Sequence, residues 1–456
     1  MKSSPDLFYT KVCEGKKKDM EILQELEQET VWQQYLENVL HENPKEWKKL
    51  QEYIAQKKYV QVVNNMKQVG KSGEEFIFIP RKVLLSKKGT DRKRVVYVYP
   101  YDVQVVLKVI AWKLHKYDNC FANNLFSFRK FVNAQTAVRY LREKQKEGDW
   151  YTYKLDIHNY FNSVSVDKIL PMVKEVLVEE PILYNVICAI LKNPYVEYNK
   201  QVIREEKGIM AGMPLSAFLA NLYLTKIDFW FQENDILYAR YSDDIIIFAQ
   251  EEKKIEQYSE RLTEMIHEAG LVLNEKKTRK TNPKEAWTFL GFQCSGNCID
   301  VSDEALDKIK KKLKRKARAL YRWKCKKKTT DEQAVRGYIR RVNKKFYEDN
   351  GENELTWSRW YFPVINTEKS LRIIDHYVQE CIRYVITGQY NKKNYHFKYE
   401  KMKQCGYRSF VNEFYKMKGV KRLSETANEK CKCFMVKNFD YPEKPLKYKH
   451  IRRISD

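Results

Sequence analysis

The order of apolar and polar residues predicts alternating helical and strand segments. Residues 1–75 place apolar side chains three and four positions apart with charges between them, which predicts helices broken at Pro44 and ended by Gly70 and Gly73. Residues 76–100 instead contain two apolar runs joined by the basic loop KKGTDRKR. This pattern predicts a hairpin with cationic side chains at its tip.

A second group of predicted strands contains carboxylates. Residues 150–164 alternate apolar and polar side chains up to Asp156, which predicts a strand that ends at this aspartate. The stretch RYSDDIIIF, residues 240–248, predicts a hairpin with Asp243 and Asp244 at its turn. Between these strands, GIMAGMP leads from Gly208 to Pro214 into a helix that is apolar on nearly all sides and is predicted to be buried.

The paired aspartates are open to two interpretations. Ser-Asp-Asp is good turn chemistry, but two adjacent carboxylates also repel each other unless a cation neutralises them. Adjacent antiparallel strands would bring Asp156 to the pair. Mg²⁺ takes oxygen ligands together with substrate phosphates, so the three carboxylates predict a two-metal site for nucleotidyl transfer.

Composition points to a polyanionic partner. The chain has 456 residues and a formal net charge of +25. Much of this charge lies in two basic stretches with interleaved aromatic residues, 304–328 and 334–348. Such helices fit a nucleic-acid groove, whereas binding to a membrane surface would require a broader apolar face.

The remaining sequence features predict a cytoplasmic protein without a membrane partner. The first residues lack the apolar segment of a secretory signal, and no run of about eighteen apolar residues follows. The ten cysteines show neither zinc-ligand spacing nor a disulfide framework. Reduced thiols are therefore expected.

Five blocks carry a family resemblance: YKLDIHNYF, GIMAGMPLSAFLANLYL, RYSDDIIIF, GLVLNEKKT and FLGF. In their order and spacing the chain resembles the reverse transcriptases, above all the bacterial enzymes related to group II introns and retrons. The resemblance runs from about Phe76 to Asn350. It implies an α+β right-hand polymerase with an N-terminal helical segment (1–75), fingers and a palm with an antiparallel sheet (76–300), a basic helical thumb (301–350) and a helical C-terminal extension (351–456).

The resemblance also implies roles for particular residues. The catalytic and metal-binding set would be Asp156, the backbone carbonyl of Ile157, Asp243 and Asp244, with two Mg²⁺ ions, or Mn²⁺ in their place. The dNTP would be bound by Arg92 or Arg94, Phe161 as the steric gate against a ribose 2′-OH, Gly212, and Lys276 or Lys277 as proton donor to pyrophosphate. Nucleic acid would contact Phe289, Leu290, Gly291 and Phe292 as the primer grip, and Lys311, Lys314, Arg315, Arg318, Arg340 and Arg341.

Two positions depart from the family pattern. Ala211 and Ala217 stand where many relatives have Gln and Pro, so substrate contact at the first is changed. Residues 357–417 resemble the helical extension of the unknown-group, defence-associated bacterial reverse transcriptases.

The resemblance thus implies an RNA-directed DNA polymerase that acts in bacterial anti-phage defence. A structured non-coding RNA would be its template and scaffold, dNTPs its substrates and cDNA its product. Further partners would be a second copy of this chain, in a homo-oligomer, or an accessory effector protein. Untemplated or protein-primed DNA synthesis, and a catalytically silent RNA-binding scaffold, are the alternatives.

Overall fold

The structure is a computed structural model that describes residues 20–42, 44–76, 78–86, 93–145, 148–348, 356–390 and 396–419. The chain divides into two compact units. Unit 1 comprises Met1–Gly291 and Arg341–Tyr361, and unit 2 comprises Phe292–Arg340 and Phe362–Asp456. Each unit is described by itself.

Helices dominate the first part of unit 1. Of the described elements, four helices come first, one hairpin follows, and two more helices complete this part. A 3₁₀ helix at Leu114–Cys120 directly follows the fifth helix. The elements are α1 (Ile22–Glu25), α2 (Glu29–Glu42), α3 (Pro44–Ala55), α4 (Tyr59–Ser72), β1 (Arg81–Ser86), β2 (Lys93–Val98), α5 (Tyr101–Lys113) and α6 (Ala134–Lys144).

The predicted break at Pro44 is confirmed, but the predicted end of the N-terminal helices at Gly70 is wrong. Helix α4 continues through Gly70 to Ser72, and Gly73 follows in the left-handed conformation with φ 72°. At Gly70 the helix packs closely against Ile182 of a neighbouring segment. A Cβ at this position would stand 2.6 Å from the carbonyl oxygen of Ile182. The role of Gly70 is close helix packing and not chain termination.

The middle of the chain supplies the remaining strands of unit 1 and the helices around them. The elements are β3 (Tyr151–Asp156), α7 (Tyr160–Ser163), α8 (Val166–Val176), α9 (Pro181–Lys192), β4 (Tyr195–Tyr198), β5 (Gln201–Arg204), α10 (Ser216–Tyr223), α11 (Thr225–Glu233), β6 (Tyr238–Tyr241), β7 (Asp244–Ala249), α12 (Glu252–Glu268), β8 (Arg279–Thr281) and β9 (Trp287–Phe289). Strands β4 and β5 form an antiparallel hairpin that turns at Asn199 and Lys200.

Two four-stranded sheets organise unit 1. The first has the order β2-β1-β4-β5, with β1 and β2 forming an antiparallel hairpin. The second, which we call the central sheet, has the order β6-β7-β3-β8 and is antiparallel throughout. Helix α12 packs on β7 and β3, while α6 and α11 pack on β6. Helices cover the sheet, and the strands in its middle are accordingly apolar. Ile245, Ile246 and Ile247 of β7 are all fully buried.

Unit 2 is mainly helical. The last elements of the chain are β10 (Phe292–Ser295), β11 (Cys298–Val301), α13 (Asp303–Lys327), α14 (Asp331–Phe346), α15 (Trp357–Tyr361), α16 (Lys369–Thr387), α17 (Tyr399–Gln404) and α18 (Phe410–Lys418). The α15 helix and the end of α14 belong to unit 1. Helix α13 packs on α16 through Leu306, Ile309, Leu313, Ala317 and Leu320, a stripe with the three- and four-residue spacing of an amphipathic helix.

The structure also bears on the thiols and on the membrane. Among the described cysteines, Cys298 is disulfide-bonded, which corrects the expectation that all thiols are reduced. Six further described cysteines form no disulfide bond: Cys120, Cys188, Cys294, Cys325, Cys381 and Cys405. Within the described ranges, no helix combines the length and apolar character needed to cross a bilayer.

Glu180 fastens the N-terminal helices to the rest of unit 1. This buried carboxylate accepts a hydrogen bond from the backbone N–H of Ile22 (2.7 Å), at the start of α1, and pairs with Lys116 (2.5 Å). Burial is the main cause that raises its pKa, against the two hydrogen bonds that favour the charged form. An acidic group at a helix N-terminus also satisfies the helix dipole.

We expect Glu180→Ala to lower the free energy of unfolding by about 3 kcal/mol, because it leaves a helix N-terminus and Lys116 without their anion. Urea denaturation followed by circular dichroism measures the change. Glu179→Ala is the matched control, since its side chain is exposed one position earlier. Equal effects of the two substitutions would contradict the role of Glu180.

Candidate functional site

Strand pairing brings the three predicted aspartates to one end of the central sheet. Strands β3 and β7 run antiparallel in the register that places Asp156 opposite Asp244. The next residue, Ile157, donates its backbone N–H to the carbonyl of Asp243 at 3.2 Å. The prediction that adjacent antiparallel strands would join Asp156 to the hairpin is therefore confirmed.

Asp156 is held by two side chains from the segment that follows α12. Asn274 donates its Nδ2 to Oδ1 at 2.9 Å, and Lys277 places its Nζ 2.6 Å from Oδ2. The backbone N–H of Asn274 also bonds the carbonyl of Asp156 at 2.8 Å. The carboxylate is buried, with 4% of the residue exposed, so these contacts stabilise a charge that burial would otherwise penalise.

The pKa values of Asp243 and Asp244 reflect burial and the crowding of negative charge. Burial, followed by the charge of Asp156, raises the pKa of Asp243, and the charge of Asp244 adds to this. Burial also raises the pKa of Asp244, although Lys154, whose Nζ lies 3.4 Å from Oδ1, opposes the shift. Burial lowers the pKa of Lys277, but its hydrogen bond to Asp156 and the charges of all three aspartates outweigh this and raise it. The cluster therefore favours additional positive charge.

Lysine ammonium groups supply part of that charge in the structure. Among the residues that the structure describes, no three His, Cys, Asp or Glu side chains are gathered closely enough to hold a metal ion. The ion pairs Lys277–Asp156 and Lys154–Asp244 hold two of the carboxylates. The assignment of Asp156, Ile157, Asp243 and Asp244 to two Mg²⁺ ions stays a prediction.

A buried ion pair lies beneath the hairpin. Arg240, the residue before Tyr241, is fully buried and pairs with Asp228 of α11 through Nε (2.8 Å) and Nη2 (2.5 Å). Burial opposes the charge of Arg240, yet the charge and hydrogen bonds of Asp228 raise its pKa. Tyr238 donates its hydroxyl to the same carboxylate at 2.8 Å. Arg240 also bonds the carbonyls of Asn221 and Ser242, so one guanidinium connects α10, α11 and the turn.

The hairpin turn is tied to the loop at 121–133. Ser242 has φ 61°, the positive value typical of the first turn position in a two-residue hairpin of type II′. Its N–H donates to Ser127 Oγ at 2.9 Å, and Ser127 Oγ donates to Asn221 Oδ1, also at 2.9 Å. Asn221 returns a hydrogen bond to the carbonyl of Ser127 at 2.7 Å. These bonds fix the position from which Asp243 and Asp244 project.

The glycine-rich segment lies against both β2 and α7. Gly212 has φ 102°, and a Cβ there would stand 2.4 Å from Val96 Cγ1 and 2.8 Å from the carbonyl oxygen of Tyr97. At the other end, a Cβ on Gly208 would stand 2.6 Å from the carbonyl oxygen of Phe161. Both positions therefore require glycine, and the backbone holds the predicted gate Phe161 and strand β2 on one surface.

Asn162 strengthens this connection. Its Oδ1 accepts the N–H of Ala211 at 2.9 Å, and its Nδ2 donates to the carbonyl of Val95 at 3.5 Å. Arg94, the neighbour of Val95 on β2, is exposed. The structure thus brings Arg94, Phe161 and Gly212 into one neighbourhood, whereas Arg92 and the loop KKGTDRKR from 87 to 92 lie outside the described residues.

Other predicted residues differ in their accessibility. Lys276 is exposed, and only Lys277 of the pair bonds Asp156. The rings of Phe289 and Phe292 are fully buried. At the turn, Leu290 (φ 52°) and Gly291 (φ 85°) are partly exposed. The assignment of Phe289, Leu290, Gly291 and Phe292 to a primer grip stays a prediction.

The predicted cations of α13 lie mostly on its solvent face. Lys311, Arg315 and Arg318 are exposed, opposite the face that packs on α16, whereas Lys314 is half-buried over the ring of Tyr390. Arg322 and Lys326 continue the exposed row, and Trp323 is 44% exposed beside it. On α14, Arg340 and Arg341 are exposed. Spacing of three and four residues gives α13 a cationic stripe along its length.

Several site residues were missed by sequence reasoning. Lys154 stands two positions before Asp156 and therefore on the same face of β3, a signal that strand periodicity contains. Asn274 lies within the block GLVLNEKKT. Arg240 precedes the Tyr-Ser-Asp-Asp turn directly, but its partner Asp228 and the supporting Ser127 have no signal in the local pattern.

Comparison with known families identifies the class of domain. Residues 85–294 match the family described as reverse transcriptase (RNA-dependent DNA polymerase). This range contains the central sheet, the three aspartates and the glycine-rich segment. The prediction that the chain carries a reverse transcriptase domain is confirmed by this match.

Two relatives match shorter stretches. The retron Ec86 reverse transcriptase of Escherichia coli is 32% identical over 106 residues, which are 22% of this chain and 33% of that protein. The COX1/OXI3 intron 1 protein of Saccharomyces cerevisiae is 23% identical over 182 residues, which are 40% of this chain and 20% of that protein. The matches thus span a third or less of each relative's length.

Solved structures of telomerase are also similar at low identity. The structure of telomerase from Candida albicans with a fragment of telomeric RNA aligns with 82% of this chain and 71% of its own, at 12% identity and a TM-score of 0.43. Apo telomerase from Candida tropicalis aligns with 74% of this chain and 62% of its own, at 11% identity and a TM-score of 0.39.

We expect Asp228→Asn to destabilise unit 1 by about 3–5 kcal/mol, because it leaves the buried guanidinium of Arg240 without a counter-charge. The midpoint of urea denaturation, followed by tryptophan fluorescence, measures the effect. Asp235→Asn, at an exposed position seven residues later, should change stability by less than about 0.5 kcal/mol. A neutral Asp228→Asn would show that the pair does not support the hairpin.

Proposed function

We propose that this protein is an RNA-directed DNA polymerase that adds dNTPs to a primer 3′-hydroxyl. The observation that carries the proposal is the register that sets Asp156 opposite Asp244, with Asp243 joined to Ile157, inside the residues that match the reverse transcriptase family. Three carboxylates at one end of a sheet would supply the oxygen ligands that divalent ions use in phosphoryl transfer.

The donor atoms are of the chemical type that binds divalent metal ions, although in this conformation they are not gathered around one point. Asp156, Asp243 and Asp244, together with the carbonyl of Ile157, offer only oxygen ligands, the type that Mg²⁺ and Mn²⁺ prefer. Bound ions would supply charge stabilisation for the attacking and leaving oxygens of the transferred phosphoryl group. Lys277 holds Asp156 in the structure, so ion binding would compete with this lysine for the carboxylate.

The residues around Gly212 would bind the incoming nucleotide. Arg94 would pair with the triphosphate, since arginine contacts phosphate through two parallel hydrogen bonds, and Arg92 is the alternative for this role. Phe161 would stand against the sugar and exclude a 2′-hydroxyl. Lys277 or Lys276 would give a proton to the leaving pyrophosphate. Of these two lysines, Lys277 is favoured by its contact with Asp156.

The nucleic acid would be held by exposed cations. The stripe on α13 with Lys311, Arg315 and Arg318, the half-buried Lys314, and Arg340 and Arg341 of α14 would contact phosphates, as expected of a thumb. The turn at Leu290 and Gly291, between Phe289 and Phe292, would contact the primer. A formal net charge of +25 supports a polyanionic partner.

We further propose that the template is a structured non-coding RNA and that the protein acts in bacterial anti-phage defence. The likeness of residues 357–417 to the extension of defence-associated reverse transcriptases supports this role. Sequencing the nucleic acid that co-purifies with the protein tests it. One discrete RNA with its cDNA is expected, whereas cDNA of random cellular RNA would contradict a dedicated template.

We expect Asp243→Asn to reduce dNTP incorporation at least a thousandfold, because it removes one carboxylate of the site while keeping its shape. Primer extension on an RNA template with Mg²⁺ measures the activity. Asp149→Asn, near the start of β3, is the matched control and should leave incorporation unchanged. Full activity of Asp243→Asn would exclude the proposed site.

Primer extension also separates the alternatives. A protein that binds RNA but incorporates no dNTP on any template, including the RNA that co-purifies, is a silent scaffold. Product that forms without template indicates untemplated synthesis. DNA that stays attached to the protein until protease treatment indicates protein priming by one of the 32 tyrosines.

We expect Arg315→Gln combined with Arg318→Gln to weaken RNA binding and to reduce its dependence on salt. Two lost phosphate contacts should lower the slope of log affinity against log salt by about 1.4–1.8. Fluorescence anisotropy with a labelled RNA duplex between low and high salt measures this slope. Lys253→Gln with Lys254→Gln on α12 removes the same charge elsewhere, and an equal loss there would contradict a specific role of α13.

A further inference from the structure

The loop at 121–133 presents an aromatic side chain in an unusual backbone conformation. Phe128 has φ 51°, in the left-handed region that side chains other than glycine rarely adopt. Phe128 is nevertheless 41% exposed, so burial in the core does not account for its strained backbone conformation. Such outliers persist where the surrounding structure enforces them, and they concentrate at functional sites.

The surrounding contacts that enforce this conformation are hydrogen bonds on either side of Phe128. Ser127, the preceding residue, is bound to Asn221 and to the Ser242 turn. Arg129, the following residue, donates its Nη1 to the carbonyls of Ala122 and Leu125 at 2.7 and 3.0 Å. The loop is thus closed on itself and fixed to the hairpin, with Phe128 at the point between the two anchors.

The ring of Phe128 contacts the two aromatic residues beside the aspartates. It packs edge-to-face on Phe161, with ring centroids 6.2 Å apart and planes at 75°. It also lies 6.4 Å from the ring of Tyr241, the residue before the Ser242–Asp243 turn. Phe161 also contacts Tyr160, which is fixed by burial and by a hydrogen bond to the carbonyl of Ala220 at 2.6 Å. Phe161 therefore has two ring neighbours, the fixed Tyr160 and Phe128.

We propose that Phe128 is a positioning residue that sets the selectivity between deoxyribonucleotides and ribonucleotides by holding the ring of Phe161. This inference rests on the proposed function, in which Phe161 excludes the 2′-hydroxyl. A steric gate works only if its ring cannot turn away from the sugar. Phe161 is half-buried, so core packing alone does not hold its ring, and the contact with Phe128 adds a restraint.

Phe128→Ala tests this inference. Selectivity, the ratio of kcat/KM for dATP to that for ATP, should fall about threefold to tenfold, the range that the loss of one aromatic pair can produce. The change should appear mainly as a lower KM for ATP, because the sugar pocket is opened. Phe128→Tyr, which keeps the ring, should restore the selectivity of the unaltered protein.

A double-mutant cycle separates positioning from general loss of structure. Phe161→Ala should relax selectivity more than Phe128→Ala does, and the double variant should relax it no further than Phe161→Ala alone. Phe131→Ala is the matched control, since Phe131 is in the same loop, also has a positive φ (68°), and is 79% exposed. It should leave selectivity unchanged.

The outcomes distinguish the inference from the function on which it rests. If the unaltered protein incorporates dNTPs and Phe128→Ala keeps its selectivity, or if the effects of Phe128→Ala and Phe161→Ala add, the inference is overturned and the polymerase stands. If the unaltered protein incorporates no nucleotide on any template, the proposed function fails, and the selectivity role of Phe128 fails with it.

Discussion

The buried pair of Arg240 and Asp228 is the constraint on which the site depends. A guanidinium and a carboxylate without solvent contact are stable only when each satisfies the other, and here their hydrogen bonds extend to α10, α11 and the hairpin turn. Replacing such a pair by apolar residues need not cost stability, whereas removing one partner does. Its contribution is therefore better described as geometry: it fixes how the hairpin sits on the helices beneath it.

The three aspartates near this pair are not balanced by opposite charges in the same way. Their charges are close together and only partly compensated, which is why the pKa values of Asp243 and Asp244 are raised. The Arg240–Asp228 pair balances its own charge, whereas Lys277 and Lys154 compensate only part of the charge of the three aspartates. Ser127 connects α10 to the hairpin turn, because it bonds both Asn221 of the buried helix and the backbone of the turn.

Much of the fold and part of the site could be predicted from local patterns. Strand alternation located β3 and the end of that strand at Asp156, and the paired aspartates marked the turn between β6 and β7. The block GIMAGMP marked the segment that approaches the backbone of β2 at Gly212. The patterns could not reveal Asp228 as the partner of Arg240 or Ser127 as the support of the turn, since these pairings depend on side chains brought together by tertiary packing. The prediction at Gly70 was wrong for the same reason. Glycine is needed there for close packing against Ile182, a contact that the local sequence does not indicate.

The contact between Lys277 and Asp156 has a consequence for how the protein is assembled. Many metal sites consist of carboxylates that repel one another until the ion arrives, so that the ion contributes to folding. Here the chain carries its own counter-ions, Lys277 on Asp156 and Lys154 on Asp244. These two ion pairs therefore offset part of the repulsion that arises when folding brings the carboxylates together.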